Sequence, residues 1–205
     1  MNPKLIPTLM ARLESIAPSA RVVNPYSSPA CSTNLSVYLR ALCALPFSGH
    51  LLVGEAPGYK GCALTGIPFT SQRILKSSAH PFISELRPSL DVSGSVTEAS
   101  ATIVWSHLET CTAVPALWNV FPFHPHKPDD LTSNRFPTQA EVATGQIFLQ
   151  LVVEILCPNT VIAVGDAAVK ALAQYFPGIN FVAVRHPSFG GKADFISGIT
   201  GAGVQ

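Results

Sequence analysis

A short apolar run that stops abruptly at a glycine-rich turn constrains this chain more than any other stretch. Leu51-Leu52-Val53 leads straight into Gly54-Glu55-Ala56-Pro57-Gly58, a pattern typical of a buried strand that ends at a loop. Gly54 and Gly58 permit positive φ and a close approach of the backbone to a ligand, and Pro57 stiffens the turn between them. Ligands of open parallel sheets collect at such strand ends, although an ordinary tight turn is the alternative interpretation.

Helical and strand-like apolar patterns alternate along the chain and predict a parallel α/β sheet. Thr138 is a candidate N-cap with Glu141 at the capping-box position, and residues 88–100 are expected to form a loop. Residues 101–108 are ambiguous between helix and strand. The predicted helices cover residues 5–16, 34–45, 71–86 with a break at Pro81, 138–156 and 166–175. The predicted strands cover residues 51–53, 114–120, 160–165 and 181–184.

Composition limits the class of protein. With 205 residues and only 12% charged side chains, the chain is expected to form one domain over residues 1–205, with a helical segment at 1–48 packed on it. The net charge of +1 gives no global basic field, so any nucleic-acid contact must be local. The five cysteines include no C-x-x-C pair, which favours reduced thiols and a cytoplasmic protein. We find no signal-peptide core and no uninterrupted apolar run that would span a membrane.

Three of the predicted strands end in unusual polar residues. Glu55 follows the first strand, Asn119 ends the second and His186 follows the fourth. Because the carboxyl ends of parallel strands lie at one edge of a sheet, we expect these side chains around one crevice, with Phe69 close to the first. An amide can pair with a planar amide-type edge, a phenyl ring can stack on a heterocycle, and an imidazole can stabilise a developing oxyanion. This combination suits recognition of a nucleobase.

These residues belong to six motifs whose order and spacing resemble the uracil-DNA glycosylase superfamily. The motifs run from the first turn to the fourth strand end. They are Gly54-Glu55-Ala56-Pro57-Gly58, Thr65-Gly66-Ile67-Pro68-Phe69, Asn119-Val120, Asn134-Arg135-Phe136-Pro137-Thr138, Val161-Ile162-Ala163-Val164-Gly165 and His186-Pro187-Ser188. The first and fourth motifs are similar to those of the iron–sulfur uracil glycosylases. The spacing from Pro57-Gly58 to Thr65-Gly66 is more similar to that of the single-strand-selective monofunctional group.

The resemblance implies a three-layer α/β/α fold with a central four-stranded parallel sheet, and removal of uracil from single- or double-stranded DNA in base-excision repair. Gly54, Ala56, Pro57 and Gly58 would line the pocket and approach the deoxyribose. Phe69 would stack on the flipped uracil, Asn119 would read its amide edge, and His186 would hydrogen-bond its O2 as negative charge builds. Glu55 would steady the sugar cation or activate water. Ser188 would hold a DNA phosphate, Phe189 would begin the wedge loop, and Arg135, Arg185 and Lys192 would form a basic rim or be ordinary surface charge.

Departures from the family pattern affect the expected cofactor and chemistry. Cys31 and Cys43 are too far apart for the paired cluster cysteines, so we expect no iron–sulfur cluster and no other cofactor. The acidic pair expected after the first motif is missing near Gly61-Cys62. His124, His126, Asp129 and Asp130 lack a recognised metal spacing, so we expect no metal; His126 and Lys127 are instead expected near DNA phosphate. No lysine in the motifs is placed for a Schiff base, apart from the nearby Lys60, which indicates a monofunctional enzyme. We also expect a monomer.

Three alternatives remain at the level of sequence. The chain could bind uracil-containing DNA without cleaving it, since Ala56 and the missing acidic pair alter the site. It could instead act on another deaminated base, hypoxanthine or xanthine. The third alternative is an unrelated nucleotide-binding α/β protein, such as a phosphate-loop enzyme. The absence of a Gly-x-x-x-x-Gly-Lys-Ser/Thr loop argues against it.

Overall fold

The computed structural model describes residues 1–205 and is built around a four-stranded parallel sheet. The sheet has the order β3-β2-β5-β6, and a separate antiparallel pair joins β1 to β4. The strands are β1 (Val22–Val23), β2 (Phe47–Gly54), β3 (Val114–Asn119), β4 (His124–Pro125), β5 (Thr160–Val164) and β6 (Phe181–Val184). Helices flank this sheet, so the predicted α/β/α architecture is confirmed.

Nine α-helices connect and cover the strands. They are α1 (Ile6–Glu14), α2 (Pro29–Ala44), α3 (Cys62–Thr65), α4 (Gln72–Ser77), α5 (Pro81–Leu86), α6 (Ala99–Leu108), α7 (Gln139–Leu156), α8 (Asp166–Tyr175) and α9 (Lys192–Gly201). Short 3₁₀ turns occupy Pro3–Leu5, Pro25–Ser27 and Arg87–Ser89. None of the helices combines the length and the apolar character that crossing a bilayer requires.

The observed elements correct the sequence prediction in three places. Helix α2 begins at Pro29 rather than at residue 34, because proline is well suited to the first turn of a helix. The ambiguous stretch is helical, and Glu98 caps its first turn with a carboxylate that accepts from two backbone N–H groups. Helix α9 was not predicted, although Phe195 and Ile199 bury one face of it. The capping box of Thr138 and Glu141 at the start of α7 is confirmed.

A single hydrophobic cluster holds the layers together. Every residue of β3 is buried, and the last four residues of β2 are buried as well. Ile6, Leu9 and Leu13 of α1 are completely buried in the same cluster as these strands. The N-terminal helix is therefore part of the packing that supports the sheet, and its removal would expose that core.

Two contacts fix β3, which lies at an edge of the sheet. The hydroxyl of Tyr38, on α2, accepts a hydrogen bond of 2.8 Å from the backbone N–H of Leu117. Just beyond the strand, α7 packs so closely that a Cβ on Gly145 would lie 1.9 Å from the carbonyl oxygen of Val120. Only a residue without a side chain allows that approach, and it sets the position of the chain next to Asn119.

Candidate functional site

The predicted site residues meet at the carboxyl ends of the strands. Gly54 at the end of β2 is in register with Asn119 at the end of β3. Glu55, Phe69, Asn119 and His186 all line one cavity of about 430 Å³. The loop residues Ala56, Pro57, Gly58, Ser188 and Phe189 line the same cavity. The parallel topology therefore brings these side chains together at one edge of the sheet.

The Phe69 ring and the side-chain amide of Asn119 pack against Gly54. A Cβ at this position would lie 2.4 Å from Cζ of Phe69 and 2.8 Å from Oδ1 of Asn119. No side chain fits there without displacing one of the two groups. The glycine is thus required for close approach, rather than for an unusual φ.

Phe69 is held in a strained backbone conformation. Its φ is +53°, which is unfavourable for a residue that carries a Cβ. The indole Nε1 of Trp105 donates a 3.0 Å hydrogen bond to the Phe69 carbonyl, and the hydroxyls of Thr65 and Thr70 are 2.8 Å apart beneath the turn. These contacts fix a half-buried ring that faces the cavity, which is the placement that stacking on a planar ligand needs.

Asn119 has a buried amide that is available to a ligand. The residue is only 5% exposed, and no group of the protein hydrogen-bonds to its side chain while it lines the cavity. Backbone bonds from Val120 to Gly54 (2.9 Å) and from Phe121 to Glu55 (3.0 Å) hold the two strand ends together. A buried amide with no internal partner is costly unless a ligand or water satisfies it.

His186 has a fixed tautomer. The backbone N–H of Ser188 donates to Nδ1 over 3.2 Å, so in the neutral ring the proton is on Nε2. Burial lowers the pKa of His186, and the nearby Glu98 carboxylate opposes that shift to a smaller extent. A neutral imidazole with a free Nε2–H is therefore the form available at the cavity.

Glu55 is half-buried, and burial raises its pKa to about 7. The loop that follows is held from outside the cavity, because Nδ1–H of His124 donates to the Pro57 carbonyl over 2.8 Å. The backbone N–H of Tyr59 donates to Oδ1 of Asn134 over 3.1 Å. Glu55 thus sits on an anchored turn with a carboxyl group that can change protonation near neutral pH.

Several lining residues were missed by the sequence reasoning. Glu98 and Ser100, at the start of α6, line the cavity, and the hydroxyl of Ser100 lies 2.9 Å from that of Ser188. Phe136 also lines the cavity and is 79% exposed. Glu98 lies in a loop without periodicity, so no pattern in the sequence pointed to it. Phe136 was present in a recognised motif, and only its exposure distinguishes it from a core residue.

Phe189 stands at the tip of a tight turn beside the cavity. Its side chain is 99% exposed and its φ is +52°, followed by Gly190 at +78°. The turn is closed by a 3.1 Å hydrogen bond from the N–H of Gly191 to the carbonyl of Ser188. Two consecutive positive φ values are those of a type I′ turn, which is strained at a phenylalanine. Lys192 begins α9 behind this turn and is exposed.

Arg135 does not have the free guanidinium that the predicted DNA contact needs. Its five N–H groups donate to the carboxylate of Glu141 at 2.6 and 2.7 Å, and to the carbonyls of Arg21, His126 and Phe136 at 3.0 Å. The ion pair is mostly covered, and hydrogen bonding to Glu141 raises the pKa of Arg135 further. The residue anchors the capping box of α7, and we assign it no DNA contact.

The histidine loop is also more buried than expected. His124 and His126 are each 2% exposed, and their rings stack with centroids 5.8 Å apart. The buried ring of His126 is therefore not exposed for a direct contact with a phosphate. No three side chains of the metal-ligating types come together in the structure, and all five cysteines are free thiols.

Comparisons with known proteins agree with this geometry. A model of the uracil DNA glycosylase superfamily matches residues 43–194. Among solved structures, the chain is similar to wild-type SMUG2 of Pedobacter heparinus, with a TM-score of 0.68 and 16% identity, over 97% of this chain and 96% of that one. A search of curated protein sequences gives no match. The family match spans the four sheet strands and all the cavity loops, and the chain therefore belongs to the uracil DNA glycosylase superfamily, a family of DNA glycosylases.

Proposed function

We propose that this protein hydrolyses the N-glycosidic bond of uracil in DNA as a monofunctional glycosylase. The observation that carries the proposal is the meeting of the unpartnered Asn119 amide, the Phe69 ring and the neutral His186 in one cavity. Membership in the superfamily supports glycosidic chemistry on DNA. The choice of uracil rests on the side chains of this cavity.

Base recognition would use Asn119 and Phe69 together. The Asn119 side chain offers one donor and one acceptor, which matches the adjacent N3–H and C4 carbonyl of uracil. The Phe69 ring would stack on the flipped base, and the close approach at Gly54 holds the ring and the amide against each other. A methyl group at C5, or an exocyclic amine at C4, would change the shape or the donor pattern of that edge.

Bond cleavage places negative charge on the base. When the N1–C1′ bond breaks, its electron pair leaves with uracil, and the charge spreads onto O2 and O4. Nε2–H of His186 would donate to O2, because the Ser188 N–H donates to Nδ1 and the proton of the neutral ring is therefore on Nε2. A neutral donor stabilises the anion without transferring its proton, and the departing uracil anion later takes a proton from solvent.

The sugar becomes an oxocarbenium-like cation at the same time. The Glu55 carboxylate would stabilise this cation and accept a proton from the water that adds to C1′. A pKa of about 7 suits this role, since the group is ionised in part at neutral pH and basic enough to accept a proton. Glu98 is the other carboxylate at the cavity, but both of its oxygens are bound to the N-terminus of α6.

The DNA backbone would be held outside the cavity. The Ser188 and Ser100 hydroxyls lie together at its wall and can donate to one phosphate. Phe189 would occupy the gap left in the duplex by the flipped base. Lys192, the one lysine of α9, stands behind it. Arg185, which donates to the Phe189 carbonyl over 3.3 Å, is a further cation beside this turn.

The test is single-turnover cleavage of uracil-containing oligonucleotides, single-stranded and duplex. We expect His186→Ala and Asn119→Ala to lower the rate at least about 100-fold, while Ile147→Ala, an exposed position on α7 away from the cavity, keeps the parent rate. Thymine and cytosine oligonucleotides should be left intact. Cleavage by both cavity variants at the parent rate would refute the assignment.

Removal of a larger deaminated base is a second candidate, favoured by a cavity of about 430 Å³ that is open towards Phe136 and Phe189. Hypoxanthine and xanthine carry the same adjacent N–H and carbonyl pair that Asn119 would bind. Oligonucleotides with each base, tested separately and in competition, decide between the candidates. Retained binding to uracil DNA with no base release, unchanged by Glu55→Gln, would instead identify a binding protein.

A further inference from the structure

A second groove adjoins the cavity, and its walls on α7 and α8 have no part in the chemistry described above. It has a volume of about 650 Å³ and shares Glu55, Phe136, His186 and Phe189 with the base cavity. The two spaces therefore open on either side of the same four residues. A DNA strand that placed a base in the cavity across this shared rim would continue past the groove.

The groove has the lining of a site for a flat, mostly apolar group. Part of its wall comes from α7 and α8, whose lining residues include Val142, Ala167, Ala171 and Tyr175. Tyr175 is fixed there, since its hydroxyl donates to the Gln139 carbonyl over 3.3 Å. The small alanines leave room that a larger side chain would fill.

Two exposed aromatic rings stand at the rim. Phe136 is 79% exposed, yet its backbone is fixed by the hydrogen bonds of Arg135 on one side and by Pro137 and the α7 cap on the other. Phe189 is 99% exposed on its strained turn. Covering such water-exposed aromatic rings with a planar partner is favourable, because it removes their apolar surface from water.

We propose that this groove binds the nucleobase next to the uracil on the same DNA strand, stacked against Phe136. The proposal rests on the proposed function, because the flipped uracil and its neighbour are joined by one phosphodiester. The charges of the groove favour a base rather than a phosphate: Lys170 is its one cation, and the Asp166 and Glu55 carboxylates face the same space. The DNA backbone would run along the outer rim of the groove, and the base would enter the groove.

Binding measured by fluorescence anisotropy tests the groove without cleavage. The probes are labelled single-stranded oligonucleotides that carry 2′-fluoro-deoxyuridine, which resists hydrolysis. In separate probes, a reduced abasic residue replaces the nucleotide immediately 5′ or 3′ of the uracil. We expect the parent protein to bind one of these two probes about tenfold more weakly, because stacking one base contributes about 1–3 kcal/mol.

Two variants should abolish that difference. Phe136→Ala removes the stacking ring from an exposed position, and Ala167→Phe fills the groove from α8. Both should bind the abasic-neighbour probe and the full probe almost equally, whereas Ile147→Ala should keep the parent's tenfold preference. If Ala167→Phe fails to fold, Phe136→Ala alone still decides the result.

The outcomes separate this inference from the proposed function. No effect of either abasic neighbour in the parent protein, or an unchanged effect in Phe136→Ala, overturns the groove and assigns it to another occupant such as a peptide. A parallel probe with thymine in place of uracil tests base identity. Equal binding of uracil and thymine probes, with the neighbour effect intact, would remove the uracil assignment and support the groove as a nucleobase site.

Discussion

Replacing Glu55 by glutamine should lower the activity and raise the stability, because burial of the Glu55 carboxyl affects both properties. The carboxyl has a pKa of about 7 in the folded protein against 4.5 for the ordinary side chain. If its ionised form activates the water, kcat/KM of the parent should rise with pH through about 7. The ionised fraction is about one half at pH 7 and about 1% at pH 5, so we expect roughly a 50-fold fall between them. Burial lowers the pKa of His186, which favours the neutral form of its ring.

The stability of the fold should change in the opposite direction. A carboxyl whose folded pKa is raised binds more protons in the folded state, so the stability falls as pH rises from 4.5 to about 7. The difference corresponds to at most about 3.4 kcal/mol, which we reduce to about 1–2 kcal/mol because water at the partly open cavity screens the charge. Glu55→Gln has no charge to bury, so it should be more stable than the parent by that amount at pH 8, and the gain should vanish towards pH 4.5.

Two measurements check this reasoning together. Single-turnover cleavage from pH 5 to 8 should give a sloping profile for the parent and a low, flat one for Glu55→Gln. Urea unfolding at pH 4.5 and pH 8 gives the stability difference, and Glu85→Gln, an exposed carboxyl on α5, serves as the control. A parent profile that is flat over this range, or a variant that is no more stable at pH 8, would refute the role that we give to burial at Glu55.

Three further substitutions follow from the contacts. Gly54→Ala places a Cβ 2.4 Å from the Phe69 ring, and we expect kcat/KM to fall about 100-fold with little change in far-UV circular dichroism; a fall of less than threefold would contradict the close packing. Arg135→Lys loses the two-point pair with Glu141 and should reduce the unfolding free energy by about 2–3 kcal/mol. The salt dependence of its DNA binding should match that of the parent, and a shallower slope would show a phosphate contact after all. Phe189→Gly relieves a left-handed residue worth about 1–2 kcal/mol. It should leave the melting temperature unchanged or higher while lowering cleavage of duplex more than of single-stranded DNA, and equal losses on both would exclude the wedge role.

The sequence sufficed to predict the sheet and the convergence of its strand ends. Apolar runs that stop at Glu55, Asn119 and the residue before His186 predict which side chains share an edge, since parallel strands end on one side. The capping box at Thr138 was also predictable because both partners lie within one turn. These inferences depend on short-range patterns and on a topology that the alternation of elements dictates.

What could not be predicted depends on contacts between distant segments. Glu98 reaches the cavity only because its loop packs against the turn at Gly61, where a Cβ would lie 3.1 Å from the Glu98 Cγ. The internal hydrogen bonds of Arg135 could not be predicted, because an arginine in a motif does not show whether its guanidinium is free or bound. The exposure of Phe136 likewise follows from how its neighbours are anchored, which no local pattern encodes.

The contact between Gly145 and Val120 ties the geometry of the cavity to the composition of α7. Alanine at this position would favour the helical conformation by about 1 kcal/mol, yet its methyl group would collide with the Val120 carbonyl, one residue beyond Asn119. The Asn119 amide that lines the cavity is thus aligned by the absence of a side chain at Gly145 of α7. A substitution of Gly145 that favoured the helical conformation would therefore disturb the position of the Asn119 amide.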